Sequence, residues 1–357
     1  MTDVDSTLRG LRPVFDLADA ARAGLSARTT QRAVRGGLVH RLAPGLFTPM
    51  SVWCAADARE RHLLLAAAAG RRFPGLPLSH HSAATLHGLP TPFRLPGWVA
   101  LTTDRSDNTC RSGRLARLEP ALLPAAHVGR RRGLLVTLPA RTVVDCLRRL
   151  PLPDAVAVAD AALRRGMVTR ASLEAMRRAQ SGWPGVGAVD TGIGLLDAAR
   201  ETWFESWSFT RLWLLGVEIP AAQVSVHDIR GRFVGRVDGL WTEGGTVAEA
   251  DGMGKYLGQY DPDGPSAAAA ARAVVAEKIR EDRLRGCGLE VVRFDVPGLH
   301  GHVDDVVSSV REARDRGDLG RFTGRLVFHP LSPADQVRPV PPLPTPLVAR
   351  KRRKGAA

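Results

Sequence analysis

The chain has 357 residues, 44% of them apolar, which is enough for two or three domains with their own cores. Fifty Lys and Arg against 36 acids leave +14, a mostly arginine surplus that favours a polyanion such as nucleic acid, although an Arg- and Ala-rich composition alone produces the same excess. Cys54, Cys110, Cys146 and Cys287 lie too far apart for a zinc or redox pair. The start MTDVDSTLRG has no secretory pattern, and no apolar run reaches the roughly 18 to 20 residues of a membrane span. The expectation is a soluble, cytoplasmic, mixed α+β protein with no membrane partner.

Residues 14–23 space Val14, Leu17, Ala18 and Ala21 as a helix, which Gly24 ends. Ser26 predicts the cap of a second helix running to about Arg35. That helix carries Arg28, Arg32 and Arg35 at i, i+4 and i+7 on one face, and Gly36-Gly37 stops it. Residues 38–42 and 45–47 read as short strands around Ala43-Pro44. Helix, turn, basic helix and small hairpin make a winged helix-turn-helix of residues 1–50. Its arginines would contact phosphates, while Thr29, Thr30 and Gln31 would reach base edges. His40 and Arg41 on the wing would touch the backbone or the minor groove. A helical subdomain with a solvated basic face fits the same pattern. The phrase Asp19-Ala20-Ala21-Arg22-Ala23-Gly24-Leu25-Ser26, with Gly37-Leu38-Val39, Arg41-Leu42 and Pro44-Gly45-Leu46-Phe47 after it, resembles the N-terminal domain of AbiEi-type antitoxins of type IV toxin–antitoxin systems. The resemblance implies a DNA-binding transcriptional regulator of its own operon. It also implies a cognate toxin encoded nearby without direct contact.

Residues 51–190 read as an α-rich middle domain. Helices are predicted over 55–69, from a Ser79 cap through Leu86, from Pro139 through Leu150, and over 154–165 and 169–179. Strands are predicted over 98–102 and 134–138. His80, His81 and His87 have no carboxylate or thiol close in sequence and read as packing residues rather than ligands. Ala140-Arg141-Thr142-Val143-Val144-Asp145 and Ala159-Asp160-Ala161-Ala162-Leu163-Arg164 resemble the later part of AbiEi-type proteins. The Gly-rich stretch 181–194 marks a domain boundary.

Residues 191–325 read as helix, three strands, helix, strand, helix. Glu205, Phe209 and Leu212 share a stripe on the first helix, over 195–215, and Glu201 lies one turn earlier. A strand over 222–227 precedes a hairpin of residues 233–241 and 246–251, turned by Thr242-Glu243-Gly244-Gly245. Asp238 in its first arm, and Glu249 and Asp251 in its second, can converge on one point. Crowded carboxylates are most easily tolerated around a hard cation, so Mg²⁺ is the expected ion. Acids facing solvent are the plainer reading.

Asp238, a hairpin, then Glu249-Ala250-Asp251-Gly252 resembles the PD-(D/E)XK nucleases in their very-short-patch-repair-like branch. The run 277–284 followed by Gly288-Leu289-Glu290-Val291-Val292-Arg293 resembles the same branch. The resemblance implies a restriction-endonuclease-like mixed sheet flanked by helices, with Asp238 and Glu249 as catalytic acids and Glu205 on the first helix completing the acidic cluster around the metal, Glu201 being its rival. Asp251 stands where that pattern has lysine, and Lys255 or Lys278 would supply the cation. The functions carried forward are a DNA-binding regulator with an endonuclease-like domain, an active Mg²⁺-dependent endonuclease, or a non-catalytic partner-binding protein. Residues 326–357 form a Pro-rich basic tail that reads as disordered.

Overall fold

A computed structural model describes residues 4–103, 113–251 and 267–330. Lys255, Cys110 and the basic tail lie outside them. The fold is mixed α+β, in two compact units. The first comprises Met1–Leu150 with Met167–Val189, the second Pro151–Gly166 with Asp190–Ala357.

The first unit opens with α1 (Val4–Gly10), β1 (Phe15–Asp16), α2 (Leu17–Arg22), α3 (Ala27–Arg35), β2 (Val39–Ala43) and β3 (Leu46–Pro49). The strands form an antiparallel sheet in the order β1-β3-β2. The helix predicted over 14–23 is divided: Phe15 pairs with Phe47, and Asp16 leaves the strand to cap α2. Asp16 Oδ1 accepts Asp19 N–H at 2.8 Å while Asp19 Oδ2 accepts Asp16 N–H at 3.1 Å, a reciprocal capping box. Ser26 caps α3 as predicted, its hydroxyl accepting Thr29 N–H at 3.0 Å. Leu8, Phe15, Ala20, Leu25, Ala33, Val39 and Phe47 close a small core.

The same unit continues through α4 (Met50–Ala55), α5 (Ala58–Arg72), α6 (His80–His87), β4 (Val99–Thr103), β5 (Ala116–Pro120), β6 (Val128–Arg131), β7 (Leu134–Thr137), α7 (Pro139–Arg149) and α9 (Arg170–Ala179). The parallel pair β4–β5 and the hairpin β6–β7 are joined by Leu78, which bridges Leu101 and Val136. His62, His80, His81 and His87 are all buried. His62 Nε2 lies 2.8 Å from Ser82 Oγ, and His87 Nε2 lies 2.8 Å from Thr137 O. Burial pushes His62 down to about 4 and His81 to about 3, so both are neutral packing residues.

The second unit contains α8 (Leu152–Arg164), the later part of α10 (Val186–Gly194), α11 (Trp203–Leu214), β8 (Ala221–Asp228), β9 (Phe233–Trp241), β10 (Thr246–Asp251), α12 (Ala267–Gly286), β11 (Glu290–Asp295), α13 (Val296–Gly301), α14 (Val303–Arg316) and β12 (Gly324–Val327). Its five-stranded sheet runs β11-β10-β9-β8-β12, parallel only between β10 and β11. Phe204, Phe209, Leu212, Trp241, Phe294 and Val310 form a core that α11 and α14 share with the sheet. Val224, Val237, Leu240, Val247 and Leu284 form a second core, to which α12 contributes Leu284. Each large apolar side chain so buried contributes roughly 2–3 kcal/mol.

A division at residues 181–194 places α8 with the middle domain, whereas α8 belongs to the second unit and packs against α11. Arg200 Nη1 reaches Asp160 Oδ2 on α8 at 3.0 Å, and Asp160 Oδ1 accepts Asp197 N–H at 2.8 Å. That tie is invisible in the spacing of either segment. The helix expected over 195–215 begins only at Trp203, because Thr202 and Glu205 form a capping box there. Among the described residues no helix is long and apolar enough to cross a membrane.

Candidate functional site

Two places collect the residues singled out by sequence. The first is the surface of α3 and the β2–β3 wing. Arg28, Gln31, Arg32 and Arg35 are exposed, while Ala33 points into the small core. Thr30 does not join them: it is buried at 1% exposure, and its hydroxyl donates to Ser26 O at 3.1 Å. It therefore cannot reach a base edge. Thr29 is half-buried, with Oγ1 at 2.8 Å from the capping Ser26 Oγ. On the wing, His40 stacks on Trp53 with centroids 4.1 Å apart, and the Arg61 guanidinium lies 5.2 Å from the same indole. Burial, then the Arg61 charge, holds His40 below its ordinary value, so it presents a neutral ring. Arg41 remains exposed, 5.9 Å from the Phe47 ring.

The second place is where β9 and β10 part. Their ladder pairs Thr246 with Trp241, Val247 with Leu240 and Ala248 with Gly239. One residue on, the Asp238 carboxylate replaces a backbone acceptor, and Oδ2 takes Ala250 N–H at 2.9 Å. Its neighbour Glu249 is 6% exposed. Arg280 Nη2 stands 2.9 Å from Glu249 Oε1 and forms an ion pair with it. Burial, then the Glu205 charge, pushes Asp238 up to about 6. Burial, then Asp238, pushes Glu249 up to about 7. Buried carboxylates raised in this way hold a proton readily, or exchange it for a cation.

The remaining predicted residues have other partners. Glu205 is engaged as a helix cap: Oε1 accepts Thr202 N–H at 3.1 Å, and Oε2 accepts Glu201 N–H at 2.9 Å and Gln223 Nε2–H at 2.8 Å. Its charge reaches Asp238, but its oxygens are occupied. Its rival Glu201 pairs with Arg236 at 2.8 Å. Asp251 lies 3.4 Å from Arg293. Lys278 is exposed on α12, a third of a turn from the face that carries Glu277, Arg280 and Glu281. The cation beside Glu249 is thus Arg280 rather than Lys278, and Lys255 lies outside the described residues.

Arg280 also donates Nη2–H to Glu277 Oε1 at 2.7 Å and Nε–H to Glu277 Oε2 at 3.0 Å. These bonds hold Glu277 down at about 2. Arg293 extends the network to Glu277 and, at 2.9 Å, to Glu281. Gly235 makes room for it, since a Cβ there would stand 3.1 Å from Arg280 Cδ.

Sequence reasoning missed Gln223 altogether. The β8–β9 ladder pairs Ala222 with Gly239 and Val224 with Val237. Between those pairs Gln223, opposite Asp238, takes φ +55° and is buried at 3% exposure. A non-glycine residue in that region is strained, and such strain gathers at functional sites. The available signal was an amide side chain between Ala222 and Val224 in a strand otherwise destined for the core.

Among the described residues no three His, Cys, Asp or Glu side chains form a ready metal shell. Two adjacent carboxylates nevertheless suit Mg²⁺, which is commonly held by one or two carboxylates and completed by water and substrate phosphates. The Asp238 and Glu249 carboxylates, side by side where β9 and β10 part, are the oxygen donors that fit such an ion.

No family model matches the chain. Two uncharacterized proteins of Mycobacterium tuberculosis, MT2308 of strain CDC 1551 and Rv2248 of strain H37Rv, are each 31% identical over 204 residues. The match covers 57% of this chain and 65% of each relative's length. The crystal structure of the RV2827C protein from the same organism has a TM-score of 0.36 and 18% identity, covering 54% of this chain and 73% of that one.

Proposed function

We propose that this protein binds DNA through α3 and the adjoining wing, as a regulator of the AbiEi antitoxin type, and that its second unit is an endonuclease-like DNA module. The observation that carries the reading is the outward face of α3, where Arg28, Gln31, Arg32 and Arg35 are exposed while Thr30 and Ala33 face the core. An inward arginine face would have favoured a structural role. The arginines supply phosphate contacts, and Gln31 is the residue left to test a base edge. Arg28→Ala with Arg32→Ala is expected to weaken duplex binding and to lower the salt slope by about two. Thr30→Val is expected to leave binding unchanged. Fluorescence anisotropy over a salt series checks both, and undiminished affinity of the double variant overturns the reading.

A second reading, Mg²⁺-dependent cleavage of DNA, is favoured by the Asp238–Glu249 pair. When bound there, the ion would supply activation of water and neutralisation of phosphate charge. Asp238 and Glu249 would hold it, with Asp238 fixed in place by its bond from Ala250 N–H. Arg280, beside Glu249, is placed to balance negative charge developing on a phosphate. Incubation with supercoiled plasmid, with Mg²⁺ and with chelator, tests this. Nicking that depends on Mg²⁺ and is lost in Asp238→Asn supports it, and equal nicking by variant and parent overturns it.

A further inference from the structure

The hairpin between β8 and β9 ends in a tip with unusual chemistry. Ile229 and Phe233 are the two most exposed large apolar side chains among the described residues, at 77% and 61%. Leaving them in water costs stability that folding could have recovered, so the tip is built for something other than the core. It is also tightly made. Asp228 Oδ1 accepts the N–H groups of Arg230 and Arg232, each at 2.9 Å, and Oδ2 accepts Arg232 Nε–H at 2.8 Å. Asp228 N–H donates to Arg232 O at 2.9 Å, and Gly231, at φ +75°, closes the turn.

The exposed charge around this apex is positive. Arg230 is exposed at the tip, and Arg325 on the neighbouring β12, opposite His227, is exposed as well. Asp228, the acid of the turn, is turned inward onto three donors. A narrow two-stranded projection with an aliphatic side chain at its apex and guanidinium groups around it has the shape and charge of a groove wedge. Arginines meet the phosphates, and the aliphatic chain enters between base steps.

β9 also fixes the spacing. Phe233 and Asp238 lie five positions apart on one strand, which is about 17 Å at strand rise. At about 3.4 Å per base pair, that is roughly five base pairs of duplex. The tip and the Asp238–Glu249 edge belong to one unit, so no rearrangement between units is needed to engage them together.

We infer that the Asp228–Phe233 tip is a second DNA contact, in which Ile229 wedges into the duplex and Phe233 stands about five base pairs from the Asp238–Glu249 edge. The inference rests on the DNA-binding reading. It adds a site on the other unit, with a substrate preference for duplex that can be unstacked. Preorganisation by Asp228 means that the tip loses little entropy on binding.

The test uses the full chain and a mixed-sequence duplex carrying both an anisotropy label and an unstacking-sensitive fluorescent purine. Ile229→Ala is expected to lose about tenfold in affinity together with the unstacking signal, while Ile229→Leu retains both. Arg230→Ala is expected to lower the salt slope by about one. Arg28→Ala with Arg32→Ala, measured in parallel, is expected to weaken binding but keep the unstacking signal. If that double variant loses affinity while Ile229→Ala binds and unstacks like the parent, the tip inference falls and the α3 reading stands. If the parent binds no duplex, both fall. If Ile229→Ala instead changes the sedimentation of the free protein, the tip meets a second copy and the inference is overturned.

Discussion

Replacing Asp238 by Asn should make the second unit more stable above neutral pH, and the structure gives the size of the gain. Asp238 is raised from an ordinary 3.8 to about 6 and Glu249 from 4.5 to about 7, in both cases chiefly by burial. Between the unfolded and folded values the native state binds more protons than the unfolded chain. Stability from these groups is therefore full below the unfolded pKa and is lost as pH rises through the folded one. Each pKa unit corresponds to about 1.4 kcal/mol, so an ionised Asp238 costs the native state roughly 3 kcal/mol. Asn keeps the shape and can still accept Ala250 N–H, while removing the charge and relieving Glu249. The expected gain is roughly 3 kcal/mol near pH 8, or a melting shift of about 5–10 °C, shrinking to nothing below about pH 4. Melting followed by tryptophan fluorescence suits the measurement, because Trp203, Trp207, Trp213 and Trp241 lie in this unit. The same shift at both pH values, or none near pH 8, would refute the argument that the pair is held under electrostatic tension.

Two further outcomes follow from the same centre. Arg280→Ala removes the guanidinium from Glu249 and Glu277 together and should cost about 2–3 kcal/mol in urea titrations. Arg280→Lys should restore only part, since one ammonium cannot grip Glu277 by two bonds and still face Glu249; full recovery would contradict the geometry. Gln223→Ala should destabilise by roughly 2 kcal/mol through a lost hydrogen bond and retained strain. Gln223→Gly should be markedly better tolerated, because glycine accepts a positive φ. Equal melting of the two variants would show that φ +55° stores no strain.

The chain's local grammar was legible from residue order alone. Ser26 and the Gly36-Gly37 stop bounded α3, and Thr242-Glu243-Gly244-Gly245 turned the hairpin. Each depends on neighbours within a few positions, where side-chain oxygens or backbone freedom decide. Alternation along the hairpin likewise brought Asp238 and Glu249 together, because cross-strand neighbours follow from turn length. Partner choice over longer separations was not legible. Arg280, not Lys278, faces Glu249, because rotation of α12 is settled by packing Leu284 into the sheet. Glu205 spends its oxygens on its own helix start and on Gln223, whose strained backbone no propensity scale anticipates. Thr30 turned inward because α3 must bury one face, and Asp160 drew α8 into the second unit through Arg200. Residue order therefore set where elements start, stop and alternate. Burial, which compares every surface with every other at once, decided which charges meet.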